Sequence, residues 1–517
     1  MGLKIILLFV NVLVVVHWTD ASRILAVFPT PSKSHTILGF KLAEGLLKRG
    51  HHVTFVSPFQ VDPKENLTRI ELKSIYKYKE KMPLGAMKES NPLSMIKQSI
   101  EFMTRVNELF WEEPEIQKII EEKPKFDVVI PLAFLSDAML GLGPHLGAPT
   151  ILFNCVGTFG LLNSYLANPT MVYSTNPMFG ISTETFWGRL GTVSVNMLAS
   201  ILNHLADRFN QGLLDKHLPN SPPIHELKKN ISIMLTNSHV SIEPARPYVP
   251  NMIQIGGFHV QETKPLPQEF KTFLDDAKHG AILFCMGSNV KISLIPEHQQ
   301  KAIFKVLGEM APMKVIFKSE LKHENVPKNI MVKSWIPQAD ILAHPNTKLF
   351  ISHGGLGGNT ESVYHGVPIL GIPFFGDQAT NMQEAQTAGY ALVLNQKDIT
   401  EELFRNKLKE MLNNPKYAQS VERRSALMRE QPVTPMENAA FWIEHVIKFG
   451  GGGHLKNQGA KLSWFQLYMV DIYVFYTVVL ILLALLNFYV IKIAIRMVKK
   501  IFGSKKKSIK PKKVKKS

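Results

Sequence analysis

WIPQADILAHPNTKLFISHGGLGGNTESVYHGVPILGIPFFGDQ, residues 335–378, is the stretch on which the reading of this chain turns. Within it, KLFIS (residues 348–352) is a short apolar run of the buried-strand type. A glycine-rich turn follows, Gly354-Gly355-Leu356-Gly357-Gly358, where backbone can approach a ligand closely. Asn359 to Tyr364 then reads as the first turns of a helix. A strand, a glycine turn and a helix N-terminus make an anion site, because free N–H groups and the helix dipole converge on one spot.

Groups suited to a nucleotide surround that spot. Trp335 offers a flat face for a base, Gln338 a donor and an acceptor, His353 a contact to a phosphate oxygen, and Glu361 an acceptor for two ribose hydroxyls. Asp377 and Gln378 suit a polyhydroxylated sugar. The turn is not a Walker loop, since the Lys-Ser/Thr pair is missing, and it does not fit GxGxxG.

The order WxPQ, SHGG, helix-borne Glu, GVP and DQ resembles the signature of membrane-bound UDP-glycosyltransferases, and the similarity extends over nearly the whole chain. FLDDAKHG (273–280) and GSNVK (287–291) resemble the insect branch. The resemblance implies a GT-B fold of two facing α/β Rossmann-like domains. It implies that Trp335 stacks on uracil, Gln338 and Glu361 hold uridine, and His353 with Gly355, Gly357 and Gly358 holds the diphosphate. Asp377 and Gln378 would hold the sugar. Many relatives carry Asn or another polar residue where this chain has Gly357 or Gly358, so phosphate contacts there fall to backbone N–H groups.

The chain has 517 residues, enough for two or three domains, and 45% of them are hydrophobic. Of the net charge of +17, twelve positive charges lie between Lys492 and Lys516 with no acid among them, leaving five for everything before. The basicity belongs to a tail rather than a nucleic-acid face, and that tail has no aromatic beyond Phe502 to stack on bases. Attraction to acidic lipid headgroups is the effect it implies. Cys155 and Cys285 each sit in an apolar strand-like run and read as separate buried thiols.

At the start, Lys4 and the apolar run from Ile5 to Val16 predict a signal peptide over residues 1–21. Arg23 to Phe28 predicts a strand, His35 to Arg49 a helix and Val53 to Ser57 a second strand, a parallel βαβ unit. Residues 22–250 read as an acceptor-binding Rossmann-like domain. The three prolines of residues 244–250 suggest a linker, and residues 251–469 read as the UDP-sugar domain. By resemblance, a helix over 436–448 packs back on the first half. Residues 472–491 carry no charge, which fits one membrane helix, taken as 470–491, ahead of the basic tail 492–517. The tail would be cytosolic and the domains lumenal, a single-pass type I arrangement. Lys513 and Lys515 are spaced like a di-lysine retrieval signal for the endoplasmic reticulum. Asn66 and Asn230 begin glycosylation sequons.

Glycosyl transfer needs a base for the acceptor hydroxyl and a counter to the charge growing on UDP. The glycine turn, Ser288, His353 and the helix N-terminus supply fixed dipoles for the second task. No Asp-x-Asp triplet occurs, which points to catalysis without a metal or other cofactor. For the base, His35 stands where the first strand feeds the first helix, at the carboxyl edge where open α/β sheets bind ligands. The resemblance assigns it as the catalytic histidine. Relatives place an acid where this chain has Leu132; Asp137 is the nearest downstream acid and the candidate partner, whereas Asp127 opens a strand and reads as structural. Arg246 lies beside the linker, placed either to tie the halves or to touch the donor. The expected partners are a UDP-sugar, glucose by lineage, a small lipophilic acceptor and a membrane; a homo-oligomer stays open. A catalytically impaired protein that binds UDP-sugar or lipophiles is the alternative.

Overall fold

The computed structural model describes residues 21–81, 92–133, 137–157, 160–169, 184–260, 263–288 and 290–505. The expected signal peptide up to Asp20 and the di-lysine ending lie outside them. Residues up to Asn457 form one compact unit and those from Gln458 a second.

The described residues of the first unit hold three parallel sheets, two of them bridged edge to edge in the first lobe. In the first lobe β1 (Arg23–Val27), β2 (His52–Ser57), β3 (Leu67–Glu71) and β4 (Val128–Pro131) run in the order β3-β2-β1-β4. Beyond β4 come β5 (Ile151–Asn154), β6 (Ile233–Thr236) and β7 (Met252–Gln254). Parallel bridges from Val129 to Thr150 and from Leu132 to Phe153 carry the sheet across from β4 to β5. β4, β5 and β6 are buried throughout, which is why they read in sequence as unbroken apolar runs. β3 was not foreseen: its LTRIE is half-exposed at the sheet edge and lacks the apolar signal. The helix Lys33–Lys48 crosses from β1 to β2 and buries Leu38, Leu42 and Leu46.

In the second lobe β8 (Ala281–Cys285), β9 (Lys314–Lys318), β10 (Ile330–Lys333), β11 (Thr347–Ser352), β12 (Ile369–Gly371) and β13 (Ala391–Val393) run in the order β10-β9-β8-β11-β12-β13. After β10 the chain returns to lay β11 beside β8, with Ser352 opposite Cys285. The strand order therefore reverses between β8 and β11, as it does between β1 and β4. Open sheets of this kind bind ligands at the carboxyl ends of the strands flanking that reversal.

β7 pairs with β6, so the bridged sheets of the first lobe run to Gln254, past the boundary expected at residue 250. Arg246, in the segment read as a linker, forms a buried ion pair with Glu384 of the second lobe at 2.9 Å. The helix Pro435–Lys448 returns to the first lobe. Ala439, Ala440, Ile443 and Val446 join the core of Leu38, Leu42 and Leu46. Glu444 accepts from Arg49 Nε and Nη2 at 2.5 and 2.8 Å. Cys155 and Cys285 are buried free thiols.

In the second unit the helix Val470–Lys505 contains a stretch, Val470–Phe502, long and apolar enough to cross a membrane. It continues beyond the expected end at residue 491, because the basic residues that follow keep helical propensity.

Candidate active site

The glycine stretch folds as its composition dictates. β11 ends at Ser352, and the helix Leu356–His365 begins three residues after His353, with Gly355 as N-cap. This helix starts earlier than Asn359 because Gly357 and Gly358 enter its first turn, leaving the amide hydrogens of residues 356–358 without intrahelical acceptors. His353 is held between two glycines. A Cβ on Gly287, past the end of β8, would lie 2.5 Å from its ring, and one on Gly355 2.6 Å from Nε2. Gly287 also takes a positive φ of 71°. Burial lowers the His353 pKa to about 4, with Lys318 adding to the fall, so the ring is neutral. Lys318 itself donates to the Gly287 carbonyl at 2.8 Å. Ser288 is exposed next to Gly287 at the end of β8, beside the β11 turn.

Gln338 opens a short helix, and its amide Nε2 donates to Glu361 Oε2 at 2.7 Å. Burial raises the Glu361 pKa to about 7, the Gln338 hydrogen bond opposes this and Asp340 adds to it. Trp335 is 66% exposed, a free aromatic face at the mouth of the site. Gly358 faces the Gln338 amide, its would-be Cβ 3.4 Å from Nε2.

Asp377 and Gln378 open the helix Gln378–Thr387 beneath the turn. Asn381 ties the groups together, donating to the Gly354 carbonyl at 3.1 Å and to Asp377 Oδ2 at 2.8 Å. Burial raises the Asp377 pKa, with the Asn381 hydrogen bond opposing. The Gln378 Oε1 accepts from the N–H groups of Phe374 and Phe375 at 2.9 and 3.2 Å, so this oxygen shapes the loop. The residues predicted from sequence for one donor site thus lie in the second lobe, Ser288 after β8 and the others on the run from Trp335, just before the helix Gln338–Leu342, to the helix Gln378–Thr387.

His35 lies at the third residue of the helix Lys33–Lys48, and burial lowers its pKa to about 4. Its helix carries Lys41, whose charge is felt at His259, and His259 in turn lies 4.0 Å from where a Cβ on Gly357 of the glycine turn would sit. The expected partner of His35 is committed elsewhere. Asp137 Oδ2 accepts from the Tyr165 hydroxyl at 2.8 Å and pairs with Lys228 at 2.8 Å, and Lys228 also binds Asp207. Burial opposes the charge on Lys228, but Asp137 and Asp207 together hold its pKa above the usual value. Asp127 accepts from the Arg23 N–H at 2.7 Å and tacks the strand starts together, a structural role. Leu132 is buried in the apolar core. Both sequon asparagines, Asn66 and Asn230, are exposed. His259 was not foreseen; it belongs to no motif.

Residues 12–508 match the family described as UDP-glucoronosyl and UDP-glucosyl transferase. UDP-glycosyltransferase UGT5 of Dactylopius coccus is 32% identical over 95% of this chain and 96% of its own length. UDP-glucuronosyltransferase 1A6 of Homo sapiens is 33% identical over 59% of this chain and 57% of its own length. Among solved structures, a UDP-glucose: anthocyanidin 3-O-glucosyltransferase in complex with UDP superposes with a TM-score of 0.52 at 16% identity, over 83% of this chain and 100% of the other. The glycotransferase of kitacinnamycin gives 0.55 at 17%, over 82% and 98%. At such identity these two show the fold alone, GT-B. With the family match spanning both lobes, the chain belongs to the UDP-glucoronosyl and UDP-glucosyl transferase family and is a UDP-glycosyltransferase.

Proposed function

We propose that the enzyme transfers glucose from UDP-glucose to a hydroxyl of small lipophilic acceptors, inverting the anomeric centre, without a metal, to detoxify or inactivate them. The observation that carries this reading is the cradle at the end of β11. Free amide hydrogens of residues 356–358 and a neutral His353 face one spot, with the Gln338–Glu361 pair and Asp377 around it. These are fixed dipoles that meet the charge on departing UDP without reorganising. The residues that would hold the donor are Trp335, Gln338, Glu361, Ser288, His353, Asp377 and Gln378. His35, kept neutral by burial, takes the proton as the acceptor oxygen attacks the anomeric carbon. Attack opposite the leaving UDP inverts that centre.

The apolar helix Val470–Lys505 supports anchorage in the endoplasmic reticulum membrane, with the body and its exposed sequons in the lumen. Exposed Trp187, Met197 and Ile201 on the helix Phe186–His217 support apolar acceptors. A second reading, binding without transfer, is favoured by one observation: the carboxylate of Asp137 is taken by Lys228 and Tyr165.

Membranes bearing the full chain, given UDP-glucose and a panel of phenols and steroids, test the choice. Turnover that vanishes in His35→Ala while UDP binding persists is the expected result. UDP binding with no turnover across the panel would leave the second reading.

A further inference from the structure

We infer that His259 is a donor-binding residue, its imidazole contributing a hydrogen bond to the diphosphate of the UDP-sugar from the first lobe's side of the crevice. The inference rests on the reading that the diphosphate seats on the glycine turn, and it adds a side chain to a cradle otherwise made of backbone.

His259 is 8% exposed, and neither ring nitrogen has a hydrogen-bond partner. Leaving a buried polar group in this state costs about 1–3 kcal/mol, so such a group calls for an explanation. Its placement supplies one. The Nε2 atom lies 4.0 Å from where a Cβ on Gly357 would sit. Gly357 is the second residue of the helix Leu356–His365, where the amide hydrogen has no acceptor within the helix. The imidazole, with no well-formed hydrogen bond of its own, therefore lies against the main chain of the first turn whose amides lack acceptors.

The ring is also held in place. Phe258 is buried against Phe153 of β5 with centroids 5.7 Å apart. Turn hydrogen bonds from Phe258 N–H to Ile255 O at 3.0 Å and from Val260 N–H to Gly257 O at 2.9 Å fix the backbone on either side. Burial lowers the pKa of His259 to about 4, the Gly357 main chain opposing and Lys41 adding to the fall. The ring is thus neutral at working pH, with one N–H to give. The absence of a side chain at Gly357 is what opens the space to it. His259 stands in for the polar side chain that residue 357 lacks.

Calorimetry on the full-length enzyme with UDP and with uridine tests this. His259→Ala should weaken UDP binding about tenfold or more, the loss of one hydrogen bond to a charged group, and leave uridine affinity unchanged. Gly357→Asn in that background should recover part of the loss by placing an amide in the same space, and His259→Gln should lose less than Ala. Equal loss of UDP and uridine would mean a structural role and overturn the inference. So would unchanged UDP binding in His259→Ala. A wild-type enzyme that binds no UDP would instead overturn the donor-site reading itself.

Discussion

Glu361→Gln separates the stabilising from the functional demands on the donor site. In the unliganded enzyme the pKa of Glu361 is raised from 4.5 to about 7, chiefly by burial. The native state therefore holds a proton that the unfolded chain gives up between those two values. Stability falls as pH rises through this window, and the full cost applies above pH 7. That rise corresponds to ~3 kcal/mol, reduced to about 2 by residual solvent contact at the carboxyl group. The substituted side chain would keep a neutral amide beside Gln338 and avoid that cost. Thermal unfolding of the full-length enzyme in detergent should give equal melting temperatures for wild type and variant at pH 4.5, and a higher one for the variant at pH 8. The same substitution should weaken uridine binding about tenfold or more, since ribose hydroxyls donate best to a carboxylate. Uridine has no phosphate to titrate, so wild-type affinity should rise with pH up to about 7 and then level. An offset in melting temperature that is identical at both pH values, or uridine affinity unchanged in the variant, would refute the reasoning.

Further outcomes follow from other groups. At saturating donor, kcat should persist down to about pH 4 before protonation removes the base, because burial lowers the pKa of His35 to about that value; a loss centred near 6.5 in a pH–rate profile would contradict this. Asp137→Asn should cost about 3 kcal/mol by leaving Lys228 short of a buried partner, with kcat per folded molecule little changed. A hundredfold drop in kcat at unchanged melting temperature would return Asp137 to the role of orienting acid. Glu384→Ala removes the carboxylate facing the buried guanidinium of Arg246 and should lower stability by about 2–4 kcal/mol, read as a fall in melting temperature at unchanged uridine affinity.

The sequence carried much of this because the donor chemistry is local. Trp335 to Gln378 encode two strands, a glycine turn and three helix starts in succession, so proximity in sequence is proximity in space. Buried parallel strands such as AILFC and KLFIS are equally plain, since both of their faces must be apolar. What escaped was tertiary. Order along the chain suggests Asp137 as the partner of His35, yet Tyr165 and Lys228, from two later segments, claim it, and Lys228 is shared with Asp207. Edge strand β3 carries charges on its open face and so shows no periodic signal. His259 meets Gly357 only because the crevice brings two lobes together.

The returning helix Pro435–Lys448 has a practical corollary for anyone splicing this enzyme with a relative. The acceptor half is discontinuous: its last wall is encoded after the whole donor half. A chimera exchanging only residues 22–254 would press a foreign Leu38–Leu46 stripe against native Ala439, Ile443 and Val446, and would break the Arg49–Glu444 pair wherever the incoming segment lacks that arginine. Transplants that carry both pieces should fold where single-piece transplants aggregate.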